Sequence, residues 1–370
     1  MPMSMRKPEP RRRPGKSLRL PACAGGLLLL FFLIRLLCAR SAGALAFFRA
    51  LALRLSALWG GLWGLLPFTL AEFVILAALP ALLCLLIIPA VRHGRRGFLR
   101  ALSALAAALA ALPLCFQLLW GVHYQAPPLA DLLGLETREY TSDELKDTMD
   151  WLLARVNELA PAAPRGADGA CDFGDFDGLV DAVAQGYDAL CSELPLFAAP
   201  TRRVSPKPAR LLSVCMSYLG ITGFYFPFTA EPVVSVDNVD SHLPATIAHE
   251  WAHARGVGPE AECNFAAFLA CTAADDVRVQ YSGVLFAYIY ASNALYSYSH
   301  EDWKEIASGL CDQAKRDLQV QREHWAQYES PVQDAGNAIN NAYIKATGQP
   351  DGVRSYGKMV DLLISWRLHQ

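Results

Sequence analysis

Charge is scarce in this chain. Asp, Glu, Lys and Arg make up 18% of its 370 residues, against 53% hydrophobic, where soluble domains carry about 25% charged residues. Phe73 to Val91 is nineteen residues without a charge and Ala101 to Gly121 is twenty-one. Each is long enough to cross a hydrocarbon core of ~30 Å at ~1.5 Å per residue, so neither reads as the surface helix of a soluble protein. No close cysteine pair is present, the nearest being Cys263 and Cys271, which excludes a CxxC redox motif or a zinc ribbon. No internal repeat or long low-complexity tract occurs. The net charge is only −2, so a nucleic acid partner is not indicated.

The charges that do occur near the N-terminus set a topology. Arg6, Lys7, Arg11, Arg12, Arg13, Lys16 and Arg19 precede a first apolar stretch, and Arg92, Arg95, Arg96 and Arg100 lie between the two later ones. The positive-inside rule puts both basic segments in the cytoplasm, where anionic lipid also attracts them. A cleaved signal peptide is the competing reading of the first stretch, and the later pair stays in the bilayer either way. The stretch 42–68 is apolar too, but Arg49 and Arg54 near a bilayer centre would cost ~2.5–3.5 kcal/mol each. With Trp59, Trp63 and Gly60-Gly61 it reads as an interfacial segment. Residues 1–20 are then a basic cytoplasmic N-terminus. Residues 21–122 are a membrane region with spans at about 21–39, 70–91 and 101–121, and 123–370 form an extracytoplasmic domain. The expected location is the plasma membrane, multi-pass, with the lipid bilayer as one partner.

Within that domain, His249-Glu250-Trp251-Ala252-His253 is an HExxH motif. Histidines four apart share one helical face, so both imidazoles can reach one metal ion. Glu250 stands beside the metal's open position, where it can deprotonate a water whose pKa the metal has lowered. Gly256 suits a C-terminal cap and Pro259 a first helical position, so a second helix follows the first. Its first turn offers Glu260 and Glu262, either of which can be the third ligand. Glu260 is favoured because Asn264 lies one turn on, on the same face, and can hydrogen-bond a ligand histidine. Glu262 points about 160° away. Two histidines and a carboxylate make Zn2+ the first choice of cofactor.

The HExxH helix followed by Glu260-x-x-x-Asn264 resembles the gluzincin metallopeptidases. The longer run HEWAHARGVGPEAECNFAAFLAC resembles a bacterial membrane family called domain of unknown function 3810 (DUF 3810). FQLLWGVHY at 116–124, GITGFYFPFTAEP at 220–232 and NNAYIKATGQPDGVRSYGKMVDLL at 340–363 agree with it, so the similarity covers most of the chain from about residue 20. It implies a three-pass membrane protein bearing a zinc-peptidase-like domain, with His249, His253 and Glu260 at the ligand positions and Glu250 at the base. Cys263 stands where the family pattern usually has alanine.

The rest of the domain reads as mostly helical with a small sheet. Thr141 to Glu144 is a capping box opening an amphipathic helix to about Ala160, with Leu145, Met149, Leu152, Leu153 and Val156 on its apolar side. A second helix spans about Phe176 to Leu194, and 161–169 is a loop. Ile221 to Phe228 and Val233 to Val236 read as strands. From residue 260 the pattern is helical, including Trp303 to Tyr328. Gly220, Ile221, Thr222 and Gly223 are candidates for holding an extended peptide at a sheet edge. His300, Tyr298, Arg278 and Tyr343 are candidate donors to a developing oxyanion. Six cysteines beyond residue 123 are an even count that permits disulfides, although Cys263 and Cys271 read as buried thiols.

The fold class expected is therefore a membrane-anchored, mostly α protein: three transmembrane helices, then a gluzincin-like domain with a small β-sheet. The function expected is hydrolysis of a peptide or protein substrate outside the cytoplasm. The alternative is an inactive peptidase-like envelope binding or scaffold protein that keeps the metal for structure. Intramembrane proteolysis is disfavoured, because the motif lies more than a hundred residues beyond the last span.

Overall fold

The computed structural model describes residues 19–136, 138, 140–347 and 358–369. The basic residues from Arg6 to Lys16 and positions 348–357 of the 340–363 stretch lie outside them. The order of elements is α1 (Arg19–Arg40), α2 (Ala42–Trp63), α3 (Leu70–Leu119), α4 (Leu129–Leu133), α5 (Ser142–Leu159), α6 (Phe176–Glu193), β1 (Lys207–Ala209), α7 (Ser213–Tyr218), β2 (Gly223–Phe226), β3 (Glu231–Ser235), α8 (Leu243–Ala254), α9 (Glu260–Thr272), α10 (Val277–Tyr298), α11 (His300–Ser308), α12 (Asp312–Ala326), α13 (Pro331–Ala346) and α14 (Lys358–His369).

Three helices are long and apolar enough to cross a membrane, over Cys23–Arg40, Ala42–Trp63 and Leu70–Leu119. The third contains both of the later spans expected from sequence. Its backbone leaves helical geometry at Gly94 (φ 59°, ψ −149°), a conformation open to glycine and strained for other residues. Beyond that point the chain doubles back: a Cβ at Gly97 would sit 1.9 Å from the Pro89 carbonyl oxygen, although eight residues of straight helix cover ~12 Å. Both ends of α3 consequently meet the same pair of strands. The Leu70 and Ala71 amides donate to the Glu231 carboxylate at 3.0 and 2.8 Å, while Trp120, just past the other end, packs on Tyr225 with ring centroids 4.9 Å apart. The reversal occupies one residue between helical segments, not the whole of 92–100 that lay between the expected spans.

The segment expected at the interface is also helical and meets the length and composition of a span. Ser41 opens α2 by accepting the Ala44 amide at 3.2 Å. Ala52, Ser56 and Gly60, spaced by four, are buried: Ala52 packs with Ile34, Cys38 and Leu114 of the neighbouring helices, Gly60 lies against Val204 and Ala230 of the large domain, and the Trp59 indole donates to the Phe228 carbonyl at 2.8 Å. On its other sides Phe47, Leu55, Leu58 and Leu62 are exposed.

In the domain, the strands form a mixed sheet in the order β1-β3-β2, with β1 parallel to β3 and β2 antiparallel to it. The short β1 was not anticipated from sequence; of the two expected strands, the first forms over the narrower Gly223–Phe226 and the second begins two residues earlier, at Glu231, and ends at Ser235. Val233 of β3 packs with Ala209, Met216 and Ala71, tying the sheet to the start of α3. The main core joins α5, α6, α8, α9, α10 and α14 through residues such as Met149, Tyr187, Ile247, Phe265 and Leu285. The Thr141 and Glu144 capping box forms as expected, and Leu145, Met149, Leu152 and Val156 are buried below it. The helical run expected over 303–328 is interrupted between α11 and α12, around Gly309 to Cys311. The cysteines among the described residues are free thiols, with Cys263 and Cys271 buried in the core.

Candidate metal centre

Two consecutive helices build the site. Pro244 sits in the first turn of α8, and Gly256 ends that helix with a positive φ of 87°, so the chain turns at once into α9. His249 and His253 then share a face of α8, their rings edge to face with centroids 4.9 Å apart. Glu260, the first residue of α9, brings its carboxylate to 3.2 Å from His249 Nε2 and 3.5 Å from His253 Nε2.

Each imidazole is oriented from behind. His249 Nδ1 lies 2.7 Å from Asn264 Oδ1, and His253 Nδ1 lies 3.1 Å from the Val257 carbonyl. Both partners accept, so in the neutral ring each Nδ1 carries the proton and each Nε2 presents a lone pair. Asn264 in turn donates to the Tyr290 hydroxyl at 3.2 Å. Two lone pairs and a carboxylate therefore converge, with ligand atoms within 4.8 Å of one another. With both rings neutral, the two nitrogens and the carboxylate repel one another unless a cation lies between them. This donor set fits zinc, which takes imidazole nitrogen and carboxylate oxygen and leaves a position open. Replacing Asn264 by Ala is expected to weaken zinc binding by about 10–100-fold. Competition against a chromophoric chelator would measure it, and an unchanged affinity would remove Asn264 from the centre.

Glu250 is 3% exposed, and its Oε2 has no hydrogen-bond partner among the described residues. Burial pushes its carboxyl up to about 8, the charge of His249 pulling it down and that of Glu260 adding to the rise. A buried carboxyl with an unused oxygen beside a ligand cluster is suited to carrying a proton. The chain makes room for it at Gly223, where a Cβ would lie 2.6 Å from Glu250 Oε1. Only glycine lets the strand come this close.

A cleft of about 340 Å³ contains these groups. Gly220, Ile221, Thr222 and Gly223 line it together with His249, Glu250, His253, Glu260 and Asn264. Because β3 covers only one side of β2, the other edge faces away from the sheet. Glu262, the alternative ligand, is not in the cleft. Its Oε1 accepts the Leu129 amide at 3.0 Å, as the helical phase of α9 requires.

Of the candidate oxyanion donors, Tyr343 lines the cleft. Arg278 instead pairs with Asp276 at 2.7 Å, and His300 stacks on Trp303 with centroids 5.3 Å apart; neither lines the cleft, nor does Tyr298. The cleft also holds Trp120, Tyr124 and Tyr290, which sequence reasoning did not assign. The Tyr124 and Tyr343 hydroxyls are 3.1 Å apart, and desolvation raises both phenols above their ordinary value, so both are donors at neutral pH. Trp120 and Tyr124 belong to the FQLLWGVHY stretch, whose aromatics at the end of an apolar run read equally as an interfacial belt.

A family model described as "Protein of unknown function (DUF3810)" matches residues 48–364. The chain belongs to the DUF3810 family. Comparison with curated proteins and with solved structures gives no match. In this DUF3810 chain the matched region takes in α2 from residue 48, α3, the sheet and every residue of the cleft named above. The long sequence separation between motif and last span also closes up in space, because Trp120 packs edge-on against His253 with centroids 5.6 Å apart.

Proposed function

We propose that this DUF3810 protein is a membrane-anchored zinc metallopeptidase acting outside the cytoplasm. The observation that carries the reading is the convergence of His249 Nε2, His253 Nε2 and Glu260 beside a buried carboxyl, Glu250, with a free oxygen. His249, His253 and Glu260 would hold the metal. Zinc, when bound, supplies a Lewis acid and acidifies water at that point. Glu250 takes the proton of the attacking water and returns it to the leaving amine. The free edge of β2 and the Gly220 to Gly223 backbone align an extended substrate chain by main-chain hydrogen bonds. Tyr343, backed by Tyr124, donates to the carbonyl oxygen as it gains charge.

The orientation follows from charge. Arg92, Arg95, Arg96 and Arg100 flank the reversal at Gly94, which puts that tip in the cytoplasm and both ends of α3 on the opposite side of the plasma membrane. The large domain meets those ends. Arg49 and Arg54 favour an outer interfacial place for α2, where its Gly60 end meets the large domain.

Full-length protein in detergent is expected to hydrolyse members of a random peptide pool, to stop when 1,10-phenanthroline removes the metal, and to recover with added zinc. Mass spectrometry of the products reads the result. Zinc-loaded protein that cuts nothing in the pool would favour the scaffold alternative.

A further inference from the structure

The cleft stands at the place where the chain leaves the bilayer. Trp120 follows the last residue of α3 directly, and its indole touches both His253 and Tyr225 of the edge strand. Tyr124, one short turn later, forms another part of the wall. On the topology proposed above, an apolar run that ends at Gly121 puts Trp120 at the outer end of the span, with its ring packed into the protein (3% exposed). The metal ligands are therefore one aromatic ring away from the end of the span.

A second point of contact lies at the other end of α3. Glu72, in the first turn of that helix, accepts the amides of Arg210, Leu211 and Leu212 at 3.2, 2.8 and 2.8 Å. The segment is thereby pinned beside the opening of the span. Leu211 and Val214 next to it are each 55% exposed, apolar side chains turned out at the depth where the helix enters lipid. The sheet that carries the edge strand is held between these two points. Its distance from the bilayer is thus fixed by buried hydrogen bonds and ring packing, with no flexible linker between membrane and cleft.

On the peptidase reading, on which this rests, we infer that the substrate is the stem of another membrane-anchored polypeptide, cut within a few residues of the bilayer. A chain emerging from lipid beside Trp120 reaches the height of the ligands within a few extended residues, at ~3.3–3.6 Å each. Folded soluble proteins are kept from the same cleft by the membrane beside it. Anchoring also concentrates the stem in the plane of the membrane, in the way a tether raises effective concentration.

The test uses full-length protein in proteoliposomes of phosphatidylcholine and phosphatidylglycerol, with Glu250→Gln as the blank. The probe is a stem of identical repeats of a peptide that the detergent-solubilised enzyme cuts, offered either fused to an apolar transmembrane helix or free in solution. Cuts confined to the repeat nearest the bilayer, and anchored stem consumed at least about tenfold faster than free stem at equal bulk concentration, are expected. Inserting a Gly/Ser spacer next to the helix should move the preferred cut to a different repeat while its distance from the bilayer stays constant. Cuts spread evenly over the repeats, or equal rates for the two forms, would overturn the inference and leave the peptidase reading standing. A protein that cuts neither form, nor the parent peptide in detergent, would overturn both.

Discussion

Glu250→Gln is expected to keep its zinc and lose peptide hydrolysis by about 10²–10⁴-fold, the range for removal of a general base. The substitution is isosteric, and the oxygen it replaces or retains at Oε2 makes no hydrogen bond among the described residues, so little structure depends on the charge. The ligand atoms belong to His249, His253 and Glu260, none of which changes. A fall in kcat with zinc content and melting temperature unaltered is the predicted pattern. Hydrolysis at the wild-type rate would exclude Glu250 as the base.

The second large effect is on stability. Glu231 is 1% exposed and takes three donors, the Leu70 and Ala71 amides at the start of α3 and the Lys207 ammonium at 3.0 Å. A carboxylate there satisfies two amides of a helix N-terminus and opposes its positive dipole end. Glu231→Ala strands the ammonium among the carbonyls of Trp63, Leu66 and Phe68 and frees both amides. Breaking a buried pair from one side costs about 3–5 kcal/mol, so a large drop in melting temperature in detergent is expected, with proteolytic nicking between the membrane helices and the sheet. Glu231→Gln, which keeps an acceptor, should lose less. An unchanged melt for Glu231→Ala would show that the membrane helices and the domain are held together elsewhere.

The parts of the site that could be read in advance are those set by helical phase. His249 and His253 are one turn apart, Glu260 and Asn264 are one turn apart, and the Gly256 to Pro259 break puts the two helices side by side. The same phase rejects Glu262, which bonds Leu129 instead. Gly220 to Gly223 could be found because aromatic and β-branched residues follow a glycine turn. Trp120 and Tyr124 could not, since their contact with His253 and Tyr343 joins segments more than a hundred residues apart and leaves no periodic trace. The three-residue β1 has no trace either, being too short for an alternating pattern. At Gly94 the arginines revealed that the chain turns, but charge carries no information on how tightly, and the answer lay in one glycine dihedral.

Because Trp120 and the start of α3 are built into the cleft and the sheet, the full-length chain is the proper material for testing the metal centre. Elemental mass spectrometry of the detergent-purified protein, beside His253→Ala, Glu260→Gln and Glu262→Gln, is the most direct measurement. About one zinc per chain is expected, as a single His₂-carboxylate site holds one ion, with the metal lost from the first two variants and retained in the third. Folded full-length protein without zinc, or Glu260→Gln binding it as well as wild type, would contradict the assignment.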